Sequence, residues 1–163
     1  MSIYNTSDWS KLTGPSTFPA AAGEDVSFSP DGSKLAVAHS TTPFVTIYNT
    51  SDWSKIGNPS SLPTGNAEGV AFSPDGSKLA VAHTNSPRIT IYNTSDWSKL
   101  PNPAEIPTGI PHALAFNHDG TRLAIAHSTS PRITIYNTNN WSKIDNHAVL
   151  PNSDSYGIAF GLN

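Results

Sequence analysis

The chain contains no cysteine, which excludes a disulfide scaffold and any thiolate metal site. Charged residues are scarce, at 13%, and the formal net charge of -3 gives no electrostatic case for nucleic acid or an anionic membrane. No apolar run approaches the roughly 20 residues of a membrane-crossing helix. The opening residues Met1-Ser2-Ile3-Tyr4 do not read as a signal peptide but enter a repeated motif directly. The start therefore reads as a cut within a repeat, natural or deliberate. The cellular location stays open between cytoplasmic and virion-associated. What the chain does have is proline and glycine, 14 and 11 of them, the composition of many short strands and tight turns.

Those turns recur at a fixed period. Tyr4 to Lys11 reads Tyr-Asn-Thr-Ser-Asp-Trp-Ser-Lys, returns unchanged at Tyr48 to Lys55 and Tyr92 to Lys99, and returns altered at Tyr136 to Lys143. The spacing is 44 residues each time. Phe28 to His39 is identical to Phe72 to His83, Phe116 to His127 is a looser copy, and Phe160 opens a fourth. A period of about 40–45 residues without helical patterning is that of a four-stranded propeller blade.

Within residues 69 to 112 the pattern predicts a first strand at Gly69 to Phe72 and a second at Lys78 to His83. The third is Arg88 to Tyr92 and the fourth, outermost, is Trp97 to Leu100. Ser73-Pro74-Asp75-Gly76 supplies a hairpin turn with glycine in the left-handed position. Leu79 and Val81 share one face of the second strand, and Ala80 and Ala82 share the other. Neither face is polar, so both are buried. A bulky face stacked on the next blade's alanine face fills space evenly, and head-to-tail stacking leads to a ring. A two-layer sandwich would expose one polar face per sheet.

The expected fold is thus all-β, a β-propeller of four-stranded antiparallel blades, with about 3.75 blades in one domain. Its parts are a partial blade at 1–24, blades at 25–68, 69–112 and 113–156, and a terminal strand at 157–163, built on Ile158-Ala159-Phe160. The chain is 13 residues short of four repeats, which matches one strand and its loop, Gly32 to Phe44. Two chains sharing composite blades would give a ring of seven or eight blades. A homodimer is the expected state, with a four-blade monomer second.

Phe-Ser-Pro-Asp-Gly-Ser-Lys-Leu-Ala-Val-Ala followed by Ile-Thr-Ile-Tyr-Asn resembles the blade of the WD-repeat family over essentially the whole chain. Tyr48-Asn49, Tyr92-Asn93 and Tyr136-Asn137 replace that family's Trp-Asp pair at the end of the third strand. The Tyr-Asn-Thr-Ser-Asp-Trp variant is similar to repeats of phage structural proteins. The resemblance implies a platform for protein or ligand binding, rarely catalysis.

Candidate chemistry is sparse. His39, His83 and His127 end each second strand, but equivalent points on stacked sheets lie about 10 Å or more apart, too far for one metal with Zn–N bonds of about 2 Å. They are expected to make a structural hydrogen bond in every blade. Trp9, Trp53, Trp97 and Trp141 are expected to cover blade edges. Asn5, Asn49 and Asn93 match a glycosylation pattern but read as turn residues, as do Asp31, Asp75 and Asp119. No catalytic set, cofactor motif or metal site emerges.

The informative positions break the repeat. Just before each first strand sit Glu24, Glu68, His112 and Tyr156, and at the start of the third strands sit Phe44, Arg88 and Arg132. The loops Pro15 to Gly23, Pro59 to Ala67, Pro103 to Pro111 and Asp145 to Ser155 differ throughout. Alternating strand directions put all this variation on one face of the disc, where loop-borne function is expected. The expected function is a non-enzymatic binding or assembly scaffold, with another protein as partner. A lectin-like, carbohydrate-binding propeller is the alternative, and a propeller enzyme ranks last because repetition supplies no asymmetric catalytic set.

Overall fold

The computed structural model describes residues 2–19, 21–144 and 151–161. The expected loop at Asp145 to Ser155 lies partly outside them, as do the last two residues of the expected 157–163 strand. Among the described residues twelve strands run in chain order: β1 (Ile3–Tyr4), β2 (Lys11–Leu12), β3 (Gly23–Phe28), β4 (Lys34–His39), β5 (Val45–Asn49), β6 (Ala67–Phe72), β7 (Lys78–His83), β8 (Ile89–Asn93), β9 (Pro111–Phe116), β10 (Arg122–His127), β11 (Ile133–Asn137) and β12 (Lys143–Ile144). They form antiparallel sheets in the orders β1-β2, β3-β4-β5, β6-β7-β8 and β9-β10-β11-β12. The last three sheets are the first, second and third blades.

Each blade is built by its turns. Gly32, Gly76 and Gly120 hold φ of 69°, 70° and 72°, as a left-handed hairpin position requires. Asp31 accepts hydrogen bonds from Ser29, and from the Ser33 amide at 3.0 Å, an arrangement repeated around Asp75. On the same edge Thr50, Thr94 and Thr138 donate to the carbonyls of Gly32, Gly76 and Gly120. The Trp turn is less ordinary. Trp9, Trp53, Trp97 and Trp141 all have φ of 57°, although a side chain there costs about 1–2 kcal/mol. Trp53, Trp97 and Trp141 offset this by packing on the blade cores, whereas Trp9 is exposed.

The outermost strand is shorter than expected. In the first and second blades it is a single bridge, Tyr48 to Lys55 and Tyr92 to Lys99, and in the third it is two residues. The left-handed Trp ends the turn only two residues before that bridge. Prolines then follow closely and cannot donate to a ladder. A second departure is Ile158-Ala159-Phe160, which forms no strand. Alternation marks a face, but a strand also needs a neighbour's backbone groups, and among the described residues no second strand is paired beside this segment.

Blades stack through unlike faces, in the opposite sense to that expected. Val70, Phe72, Leu79, Val81 and Tyr92 of the second blade pack on Ala36, Ala38, Val45 and Ile47 of the first. Leu114, Leu123, Ile125 and Tyr136 of the third pack on Ala80, Ala82, Ile89 and Ile91 of the second. Each bulky face therefore meets the preceding blade, not the next one. Ile3 of β1 covers Leu35, Val37 and Tyr48, so β1 and β2 occupy the outer half of a blade ahead of the first.

Candidate functional site

The first strand of each blade carries one extra residue, a glutamate in the first two blades and a histidine in the third. Gly23 pairs with His39 and Asp25 with Ala38, leaving Glu24 bulged between them. Ala67 pairs with His83 and Gly69 with Ala82, which bulges Glu68. Pro111 pairs with His127 and Ala113 with Ala126, which bulges His112. The three residues thus lie inside the strands, not ahead of them as expected. A bulge re-aims a side chain and is common beside binding sites.

The bulges converge. Burial raises the carboxyl pKa of Glu68, the charge of Glu24 raises it further, and His112 acts against both. The ring of His112 packs on that of Tyr156 with centroids 4.6 Å apart. Glu24, Glu68 and His112 therefore lie at equivalent bulges of successive first strands, with Tyr156 beside His112. Nε2 of His112 is buried and has no hydrogen-bond partner among the described residues.

The buried histidines fix the strand pair at each bulge. Nε2 of His39, His83 and His127 lies 3.0, 3.0 and 2.9 Å from Oγ1 of Thr46, Thr90 and Thr134 in the adjacent third strand. Every one of these histidines and threonines is buried. Nδ1 of His83 also lies 3.4 Å from Oγ1 of Thr64 in the loop entering its blade, too long for a strong hydrogen bond.

Phe44, Arg88 and Arg132 lie outside the bulges. They precede their strands by one residue and sit in tight turns with φ of 67°, 69° and 71°. Phe44 packs on the core between the first and second blades. Arg88 donates to the Thr84 carbonyl at 3.1 Å, and Arg132 to the Ser128 carbonyl and the Asp154 carboxylate. Their guanidinium groups are thus occupied locally.

The variable loops do share one face. Asn85 donates to the Thr64 carbonyl at 2.8 Å, Thr64 to that of Ser86 at 2.8 Å, and Thr108 to that of Ser130 at 2.9 Å. Tyr48, Tyr92 and Tyr136 donate their hydroxyls to the Thr17, Ser61 and Glu105 carbonyls, so each buried tyrosine tethers the loop entering its blade. Gly65 permits the close approach of two of these loops. A Cβ there would lie 2.6 Å from Oγ1 of Thr84 and 2.9 Å from the Asn85 amide nitrogen. Gly65→Ala should therefore cost about 1–3 kcal/mol by overpacking. Gly57→Ala, which meets open space, should change little. Thermal melting of the two variants checks this.

Two polar residues escape the sequence reading. Asp25 accepts the Val70 amide at 2.9 Å and Ser27 the Phe72 amide at 3.1 Å, tying the inner edges of the first and second blades together. Their signal was present, since Gly69, Ala113 and Gly157 stand where Asp25 does, and Ala71, Ala115 and Ala159 where Ser27 does.

No protein-family model matches the chain, and no curated protein matches it in sequence. Solved structures do. Hydrazine synthase of Kuenenia stuttgartiensis superposes with a TM-score of 0.66 at 19% identity, over 82% of this chain and 38% of that one. The structure of U3-55K gives 0.61 at 18%, over 79% of this chain and 40% of that one. The chain is a partial β-propeller, similar in structure to these two proteins over about four fifths of its length. It spans about two fifths of the length of the structures it matches. At these identities the likeness concerns the fold alone.

Proposed function

We propose that the chain is a non-enzymatic binding scaffold whose site is the axial rim formed by Glu24, Glu68, His112 and Tyr156. The observation that carries this reading is the coincidence of variation with bulges. The bulge position carries Glu24 and Glu68 in two blades and His112 in the third, while Phe28, Phe72 and Phe116, four residues on, stay constant. Packing demands the same residue in each copy, and a rim does not. Two neighbouring carboxylates and an exposed phenol suit a polar partner rich in hydrogen-bond donors. A basic protein segment fits that description best, because opposite charge across an interface steers association.

The test replaces Glu68 and His112 together by Ala and uses Lys78→Ala, at the opposite edge, as control. Binding to a basic peptide library and to a glycan array is compared for the two. The double variant should lose at least tenfold in affinity for basic peptides while melting at the control's temperature. Equal binding by both would place the site elsewhere and make the rim variation drift. Retention on glycans alone would transfer the site to the lectin-like alternative.

A further inference from the structure

We infer that the two ends of the blade stack are complementary halves of one interface, and that a second copy of this chain joins them by sharing a blade. The inference rests on the open sheet faces and is independent of the rim's role.

The interior interfaces supply the template. In the second blade Val70 and Phe72 are 3% and 8% exposed, covered by the first blade's alanine face. Their counterparts in the first blade, Val26 and Phe28, are 48% and 50% exposed. Tyr4 is likewise 50% exposed, although Tyr48, Tyr92 and Tyr136 are buried on the preceding blade. At the far end the shortage is reversed. Ile133 and Ile135 on the alanine side of the third blade are half-buried, where Ile89 and Ile91 of the second are fully buried. Ala159 is exposed, while the neighbouring Ile158 and Phe160 are half-buried.

Each open group thus has its complement in the same chain. Head-to-tail docking seats Tyr4 of one copy on Ile133 and Ile135 of the other. It also brings Val26 and Phe28 against Ala159. The interior pair corresponding to Phe28 and Ala159 is Phe72 and Ser27, which are in hydrogen-bond contact at 3.1 Å. The shared blade takes its first strand from residues 157–161 of one copy and its outer strands, β1 and β2, from the other. It has no counterpart of β4, and a cleft of about 450 Å³ beside Phe18 and Val26 marks that place. Because the contact is heterologous, two copies close a ring through two identical seams. Each seam also sets Tyr156 of one copy beside the second copy's Glu24.

Two exposed positions test the seam. Light scattering of the unaltered chain should give the mass of two copies at micromolar concentration. Phe28→Glu and Ala159→Glu should each weaken that association at least tenfold, with melting of the single chain unchanged. An equimolar mixture of the two variants keeps one intact seam and should return to the two-copy mass. A single-copy mass for the unaltered chain up to about 100-fold that concentration overturns the inference. So does loss of association in Phe28→Glu but not in Ala159→Glu, since that pattern means like faces meet. Cross-linking gives a second reading that does not depend on how well the glutamate variants fold. The chain has no cysteine, so mixed Phe28→Cys and Ala159→Cys should form a disulfide with each other. Disulfides formed only between identical variants contradict the head-to-tail seam.

Discussion

Leu79→Ala should destabilise the fold by about 2–5 kcal/mol, read from urea unfolding, because it empties the centre of a blade interface. Leu79 is fully buried in the bulky face that meets Ala36 and Ala38 of the first blade. Alanine is already the smallest residue that fills the opposite side, so no neighbour can collapse far enough to close the cavity. The reverse exchange is equally informative. Ala82 is fully buried on the flat side, against Leu114 of the third blade. Ala82→Leu forces the sheets apart and should cost about 1–3 kcal/mol or more. Val26→Ala, at the open end of the stack, should cost little in the isolated chain. Tolerance of leucine at position 82 would show that the alanine face is not what sets the blade spacing.

Acid should destabilise the protein between about pH 6.5 and 4, through the three repeated histidines. Burial pushes His83 down to about 4, with hydrogen bonds from its surroundings acting the other way. Burial lowers His39 and His127 as well. The unfolded chain takes up these protons near the ordinary value of 6.5, while the folded chain resists them. Stability is therefore complete above about pH 6.5 and falls as the pH drops toward 4. For His83 alone that interval corresponds to roughly 3 kcal/mol at 1.36 kcal/mol per pKa unit. The turn carboxylates act in a lower window. Asp75 is held at about 2 by its serine hydrogen bonds, so its contribution is lost only below the ordinary 3.8. His83→Ala should lower stability at pH 7 and flatten the dependence between pH 6.5 and 4. Thr90→Val should cost about 1–3 kcal/mol by leaving Nε2 of His83 unpaired. Urea titrations at pH 7 and 5 measure both, and an unchanged pH slope in His83→Ala would remove the histidines as its source.

The architecture was legible because repetition repeats the physics. Leu79-Ala80-Val81-Ala82 states both faces of a buried sheet, and Pro74-Asp75-Gly76 states its turn. Bulges were not legible. Glu68 adds one residue to a strand without any local mark, and only the pairing of its neighbours Ala67 and Gly69 with His83 and Ala82 turns it out of register. The left-handed turns at Arg88 and Arg132 were illegible for a related reason. A non-glycine residue in the left-handed region looks like any other residue in sequence, and here the turn around it, not its own preference, imposes φ. Asp25 and Ser27 could have been found, since each breaks the repeat with a hydrogen-bonding side chain where the other copies have none. Comparing the repeats position by position, instead of only before each strand, exposes them.

The rim is most directly tested by hydrogen exchange on the chain alone and with a basic peptide retained in the rim assay. Binding should slow exchange at 67–69, at 111–113 and in the adjoining loop at 84–88, while the turn at 74–77 on the opposite edge is unchanged. Protection confined to the turns at 30–33, 74–77 and 118–121 would put the binding surface on the constant face and contradict the scaffold reading of Glu24, Glu68, His112 and Tyr156.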